Sequence, residues 1–268
     1  VDSNDDPLSY RGTDVIRGVV NDVGRFYPRR FDVLSTMLLP RIDASCVPPS
    51  IFTYMDEPFA IELELVARNT QGATTVNYRG GFAKLSAYTD LNFRAIEEVA
   101  SADNNDLSAR LNNVSVATDY EADWSAVQGG ELALEGNLAF GRADPADPDG
   151  PFADLKIAFV PIDSDGVTLD PNDLDTEITE ATPEYSLIAE HDFRYGRLLI
   201  NNAFGPETED LAITFRVEYF DGERFVLNTD DSCTVIDAAE LTLVPGTYTG
   251  NLDDGDTAIV TPQTTEFF

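Results

Sequence analysis

Apolar and polar residues alternate at period two over residues 31–36 and 61–67. Successive side chains of an extended strand point to opposite faces, so such a run buries one face and wets the other. The same character recurs over 74–78, 81–85, 131–140, 154–161, 196–201, 211–219 and 224–228, with Gly, Pro, Asn or Asp between the runs. Residues 219–225 predict a hairpin with Asp221-Gly222 in its turn. Helical periodicity is confined to 93–99 and 108–114, as short helices or irregular links. The pattern predicts an all-β protein with little helix, built of antiparallel β-sandwich domains, two of them, immunoglobulin-like.

Residues 98–122 are rich in Asn, Asp and Ser and poor in large apolar side chains, so the expected domain boundary falls there. The expected organisation is a linker or strand over 1–19, one sandwich over 20–120 and a second over 121–238. Residues 239–268 would be extra strands or a linker to a continuation. The chain opens at Val1 within polar sequence and closes at Phe268 after a Thr-rich run, so both ends read as cuts in a longer precursor. The longest apolar runs, such as 157–160 and 198–200, fall far short of the ~20 residues a membrane-spanning helix needs.

Charge narrows the function. The 268 residues carry 17 basic and 49 acidic side chains, a formal net charge of −32, and the only lysines are Lys84 and Lys156. Nucleic acid and anionic lipid bind through phosphates neutralised by Lys and Arg, so this surface repels both. Self-repulsion costs folding free energy unless it is screened or bound. Seawater-strength salt screens it to a few ångströms, and divalent cations bridge carboxylates. The composition therefore fits a marine or salt-adapted extracellular protein, with plain solubility as the simpler reading.

Cys46 and Cys233 are far apart in sequence and the chain has one histidine, which is no zinc-site pattern. They read as a single disulfide in an oxidising compartment, or else as two buried thiols. His191 stands in Ala-Glu-His-Asp-Phe ahead of an apolar run, with no Gly-x-Ser-x-Gly elbow anywhere, and reads as structural. No Gly-rich phosphate loop is present. No catalytic residue is assigned, and glycosidase carboxylates cannot be named among so many acids.

Calcium is the one cofactor with a candidate. Asp163, Asp165 and Asp170 flank Gly166 in a loop that offers alternating hard oxygen ligands and a sharp turn, although it lacks the bidentate Glu of an EF-hand. A solvated acidic turn is the alternative. Asp144, Asp147 and Asp149, and Asp253, Asp254 and Asp256, are weaker candidates. Asp230 and Asp231 beside Cys233 can cap a turn through side-chain to backbone hydrogen bonds. Tyr120 and Trp124 could form a sugar-stacking platform, although core packing is the commoner fate of such a pair.

Several ordered pieces resemble one family. They include Val-Gly-Arg-Phe-Tyr-Pro ending at Pro28, Phe-Thr-Tyr-Met-Asp-Glu-Pro-Phe ending at Phe59, and Asn-Tyr-Arg-Gly ending at Gly80. Gly-Pro-Phe ending at Phe152, Phe-Arg-Tyr-Gly-Arg-Leu ending at Leu198, Asn-Ala-Phe-Gly ending at Gly205 and Asn-Thr-Asp-Asp-Ser-Cys-Thr ending at Thr234 follow in order. Together they resemble the β-rich domain of unknown function near the C-terminus of MshQ-like proteins of the mannose-sensitive haemagglutinin type IV pilus system. Pro206 departs from the family's usual Ser. The resemblance implies a non-enzymatic extracellular structural or adhesive module, part of a larger surface polypeptide. Its partners would be pilus or other filament subunits and a glycan or surface receptor. The rivals are a carbohydrate-binding module or glycan hydrolase, and a subunit of another filament. Arg25, Arg68, Arg194 and Arg197 are scarce cations among carboxylates, expected to form ion pairs and stack on aromatic rings.

Overall fold

A computed structural model describes residues 27–44, 46–100, 103–115, 124, 129–169, 185–201, 205–206 and 213–235. In chain order the first strands are β1 (Arg30–Leu39), β2 (Phe52–Tyr54), β3 (Pro58–Arg68), β4 (Arg94–Glu97), β5 (Asn105–Asp106) and β6 (Leu111–Asn113). They are followed by β7 (Glu131–Phe140), β8 (Phe152–Phe159), β9 (Ser186–Arg194), β10 (Gly196–Ile200), β11 (Phe215–Phe220) and β12 (Phe225–Leu227). The fold is all-β, and the longest helical segment among the described residues is the four-residue 3₁₀ turn Tyr88–Leu91.

Three sheets form, ordered β1-β3-β7-β6, β2-β9-β8-β4-β5 and β10-β11-β12. The pairing is antiparallel except at β2–β9, where Phe52, Thr53 and Tyr54 run parallel to Asp192, Phe193 and Arg194. The four-stranded and five-stranded sheets share one core. In β3 the alternation puts Phe59, Ile61, Leu63 and Leu65 inward, opposite Leu138, Gly136, Leu134 and Leu132 of β7. Leu155, Ile157 and Phe159 of β8 and Phe193 of β9 close the core from the other sheet. Ring contacts join the layers: Phe193 lies 5.4 Å from Phe59 and 5.1 Å from Phe140, centroid to centroid. Both of these sheets take strands from either side of residue 120, β3 pairing with β7 and β4 with β8.

Several local expectations change. Residues 93–99, read as a short helix or irregular link, contain β4, while 108–114, read the same way, hold a short 3₁₀ turn before β6. Residues 74–78 and 81–85, read as strands, form turns around the 3₁₀ segment Gly80–Phe82. In each, a short apolar run follows its tertiary neighbours rather than its own pattern. The hairpin stands as expected: Asp221 Oδ1 accepts the amides of Glu223 and Arg224, and β11 pairs with β12 around it. The segments 1–19 and 239–268 lie outside the described residues, as does Arg25.

Candidate functional site

The densest polar construction sits where the first strand's exit meets the last described segment. Arg41, just beyond β1, is 3% exposed. Its guanidinium touches four groups. Nε donates to Glu57 at 3.0–3.1 Å, Nη1 to Asp231 Oδ1 at 3.0 Å and to Cys233 Sγ at 3.3 Å, and Nη2 to Thr234 Oγ1 at 2.7 Å. The Phe52 and Tyr54 rings each lie 5.0 Å from its centre. A planar five-donor fork satisfies carboxylates and stacks on rings at once, which an ammonium cannot do.

Tyr54 extends the network. Its hydroxyl donates to Asp231 Oδ2 at 2.9 Å and accepts from Asn228 Nδ2 at 2.5 Å. Asn228 Oδ1 in turn accepts from Arg194 Nη1 at 2.7 Å, and Arg194 pairs with Asp230 at 2.8 Å. Arg194 also covers Phe52 at 4.4 Å and Tyr219 at 4.7 Å. The backbone fits closely here: a Cβ on Gly196 would come within 2.4 Å of the Tyr54 ring, so only glycine lets β10 pass.

The covalent member of this clasp is a disulfide between Cys46 and Cys233, with their Cα atoms 5.0 Å apart. The two cysteines thus pair with each other, and no described cysteine is free. Asp231 Oδ1 also accepts the amides of Cys233 and Thr234, the turn cap expected of it. Burial opposes ionisation of Asp231, but Thr234, Arg41 and the two amides outweigh it and hold the carboxyl below the usual range. Burial, reinforced by the charge of Asp231, pushes the Tyr54 phenol well up, so it stays a neutral donor. Carboxylates, guanidinium and hydroxyl are committed to one another. The arrangement therefore ties the segment 228–234 to β2 and β9 and presents no open reacting group.

The sequence candidates fall in different places. Asp163 is 4% exposed, and both its oxygens are engaged: Oδ1 by the amides of Asp165 and Val167, Oδ2 by the Tyr78 hydroxyl at 2.8 Å. A calcium ion would have to displace these bonds to use it. Asp165 is exposed on the turn, and Asp170 lies outside the described residues. Asp149, a weaker candidate, pairs with Arg110. Trp124 is fully buried, 4.8 Å from Tyr78 and 5.6 Å from Phe31, and donates Nε1–H to Leu85 O, so it belongs to the core and offers no platform. Tyr120 lies outside the described residues. The ion-pairing reading of the arginines holds where they are described: Arg68 pairs with Asp32, and Arg197 pairs with Glu218 while covering Phe225 at 3.7 Å.

His191 Nε2 lies 2.9 Å from Oγ1 of Thr53, which is fully buried. Burial pushes the imidazole from 6.5 down to about 4, against the opposing pull of Asp192. With the folded value below the unfolded one, the unfolded chain binds the extra proton first. Stability is therefore full above pH 6.5 and falls between pH 6.5 and about 4, by about 3 kcal/mol in total. Urea midpoints measured from pH 7 to pH 4 should drop more steeply in the wild type than in His191→Gln. Parallel profiles would refute the assignment.

On the outer face of the four-stranded sheet, Glu62 of β3 lies directly opposite Glu135 of β7. With Ser35, Glu64 and Ala133 they line a shallow groove of about 370 Å³. Ser35 Oγ donates to Glu64 at 2.8 Å.

Sequence reasoning marked Cys46, Cys233, Arg194 and Asp231, held Tyr54, Glu57 and Asn228 only as members of the family-like pieces, and missed Arg41.

Among the described residues no helix is long and apolar enough to cross a membrane. Two family models match the chain: DUF6701, third domain, over residues 1–187, and DUF6701, fourth domain, over residues 194–267. No curated protein matches, and no solved structure does.

Proposed function

This chain belongs to the DUF6701 family, and on that footing we propose that it is a non-enzymatic extracellular module, structural or adhesive, of a bacterial type IV pilus system of the MshQ kind. It forms part of a larger surface polypeptide whose partners are pilus or other filament subunits. The observation that carries this reading is the clasp. A disulfide, a buried guanidinium and two stacked rings tie Cys233 and Thr234 to the β1–β2 connection. Disulfides persist in oxidising compartments outside the cytosol, so the clasp supports an exported location. Committing so many polar groups to mutual bonds supports a scaffold, since a catalytic site keeps donors and nucleophiles free for substrate. The His191 imidazole, neutral and bonded to a buried hydroxyl, supports the same conclusion.

Deleting the gene should alter attachment or pilus function while leaving growth unchanged. The purified chain should turn over no ester, peptide or glycoside on broad panels. Glycan cleavage abolished by replacing a single carboxylate would overturn the non-enzymatic reading. Unaltered attachment and pilus function in the deletion strain would overturn the adhesive one.

A further inference from the structure

Basic side chains are scarce here, and nearly every described one is engaged. Arg41, Arg68, Arg110, Arg142, Arg194 and Arg197 pair with carboxylates, as does Lys156. Arg94 stacks over Tyr185 at 5.3 Å. Among the described residues Arg79 and Lys84 stand apart, with no side-chain hydrogen bond, ion pair or ring contact. In a chain of net charge −32, an unpaired cation is the unusual state.

The two bracket the 3₁₀ turn Gly80–Phe82. Phe82 is 66% exposed and Val76, just before the turn, is 55% exposed. The turn is firmly built. Phe82 N donates to Arg79 O at 3.1 Å and Ala83 N to Gly80 O at 2.9 Å. The Tyr78 hydroxyl accepts the amides of Lys84 and Leu85 at 3.0 and 2.8 Å while donating to Asp163. The Tyr78 ring packs on Phe31 and Trp124, so the turn is anchored to the core. Gly129 seats the arginine: a Cβ there would come within 2.8 Å of Arg79 Cδ and 2.0 Å of Val76 O. Arg79 and Phe82 are exposed and Lys84 is half-buried, and because the backbone beneath them is already ordered, binding costs only their side-chain freedom.

We propose that this turn is a receptor site for a carboxylated sugar residue of a surface glycan, an assignment that rests on the adhesive reading above. The Arg79 fork receives the carboxylate in bidentate fashion. Lys84 adds a second positive charge, and Phe82 offers an apolar face to the C–H side of the sugar ring. Charge selects this ligand. A long polyanion, or a second copy of this chain, brings its whole charge against the −32 of the protein. A single carboxylate at the turn meets Arg79 and Lys84 directly, and at about 0.15 M salt the ~8 Å screening length weakens the pull of the more distant carboxylates.

The test titrates the full chain with a galactose oligomer carrying one terminal galacturonate and with the neutral galactose oligomer of equal length, followed by calorimetry and NMR. Saturable binding of the acidic oligomer alone is expected. Arg79→Ala and Lys84→Ala should each weaken it roughly tenfold or more, and Phe82→Ala should also weaken it. All three should leave the melting temperature unchanged. The proposal is overturned by absence of saturable binding, by equal binding of the neutral oligomer, or by full binding in the Arg79→Ala/Lys84→Ala double variant. Particle-attachment assays separate the two readings. Wild-type attachment that survives in the double variant refutes this turn as the receptor site and leaves the adhesive reading standing. Absence of wild-type attachment refutes the adhesive reading itself.

Discussion

Arg41→Met should lower stability by about 3–5 kcal/mol, the cost of breaking a buried ion pair from one side. Methionine fills much of the volume, so packing loss is the smaller part. What remains is the Asp231 carboxylate, its side chain 2% exposed, with its cation gone, and Glu57 at 19% in the same position. The rings of Phe52 and Tyr54 lose their stacked partner as well. Arg41→Lys should also be costly, since one ammonium cannot reach Glu57, Asp231 and Thr234 together. Adding Asp231→Asn to Arg41→Met should restore part of the loss, because the uncompensated charge is removed. Urea midpoints for the two single variants and the double variant form a thermodynamic cycle. A loss below about 1 kcal/mol for Arg41→Met, or strictly additive losses, would mean that the clasp is not the stabilising unit.

Removing the disulfide is the second large effect. Cys46 and Cys233 are separated by 187 positions, and closing so long a loop reduces the entropy of the unfolded chain by about 5 kcal/mol at 25 °C. The Cys46→Ala/Cys233→Ala chain should keep its β-sheet circular dichroism while its midpoint falls accordingly. Hydrogen exchange should rise first at the amides of residues 228–234, which the disulfide holds beside Arg41. In the untreated wild type, thiol labelling should fail and reductant should add two hydrogens to the intact mass. A double variant as stable as the wild type would refute the role assigned to the bond.

The strands that could be read in advance are those whose inward face is apolar along their whole length. β3 and β7 are such strands, with Phe59, Ile61, Leu63 and Leu65 facing Leu138, Leu134 and Leu132. β9 escaped notice because its run Ala189-Glu190-His191-Asp192 interrupts the alternation, and its pairing with β8 is irregular. β2 has three residues, too few to show any period. The parallel β2–β9 pair depends on chain segments far apart in sequence, which local pattern cannot register. The cysteine pairing was legible because only two cysteines exist. The guanidinium beside it was not, since Arg41 sits in ordinary sequence and acquires its four partners only when residues 57 and 231–234 converge on it. Trp124 illustrates the opposite limit: its type fits a sugar platform or a core equally well, and only the neighbouring Phe31 and Tyr78 decide.

The Cys46–Cys233 bond also joins the stretch matched by the third DUF6701 domain to the stretch matched by the fourth. Under tension applied from the two ends of the chain, the covalent path runs from residue 46 directly to residue 233. The polypeptide between them is bypassed and contributes no length. At about 3.4 Å per extended residue, those 187 positions would otherwise release roughly 600 Å of slack on unfolding. With this bond intact, a pulled chain would reach its full length early and pass force onward; with the bond reduced, the same pull would draw out the 187 positions between the cysteines.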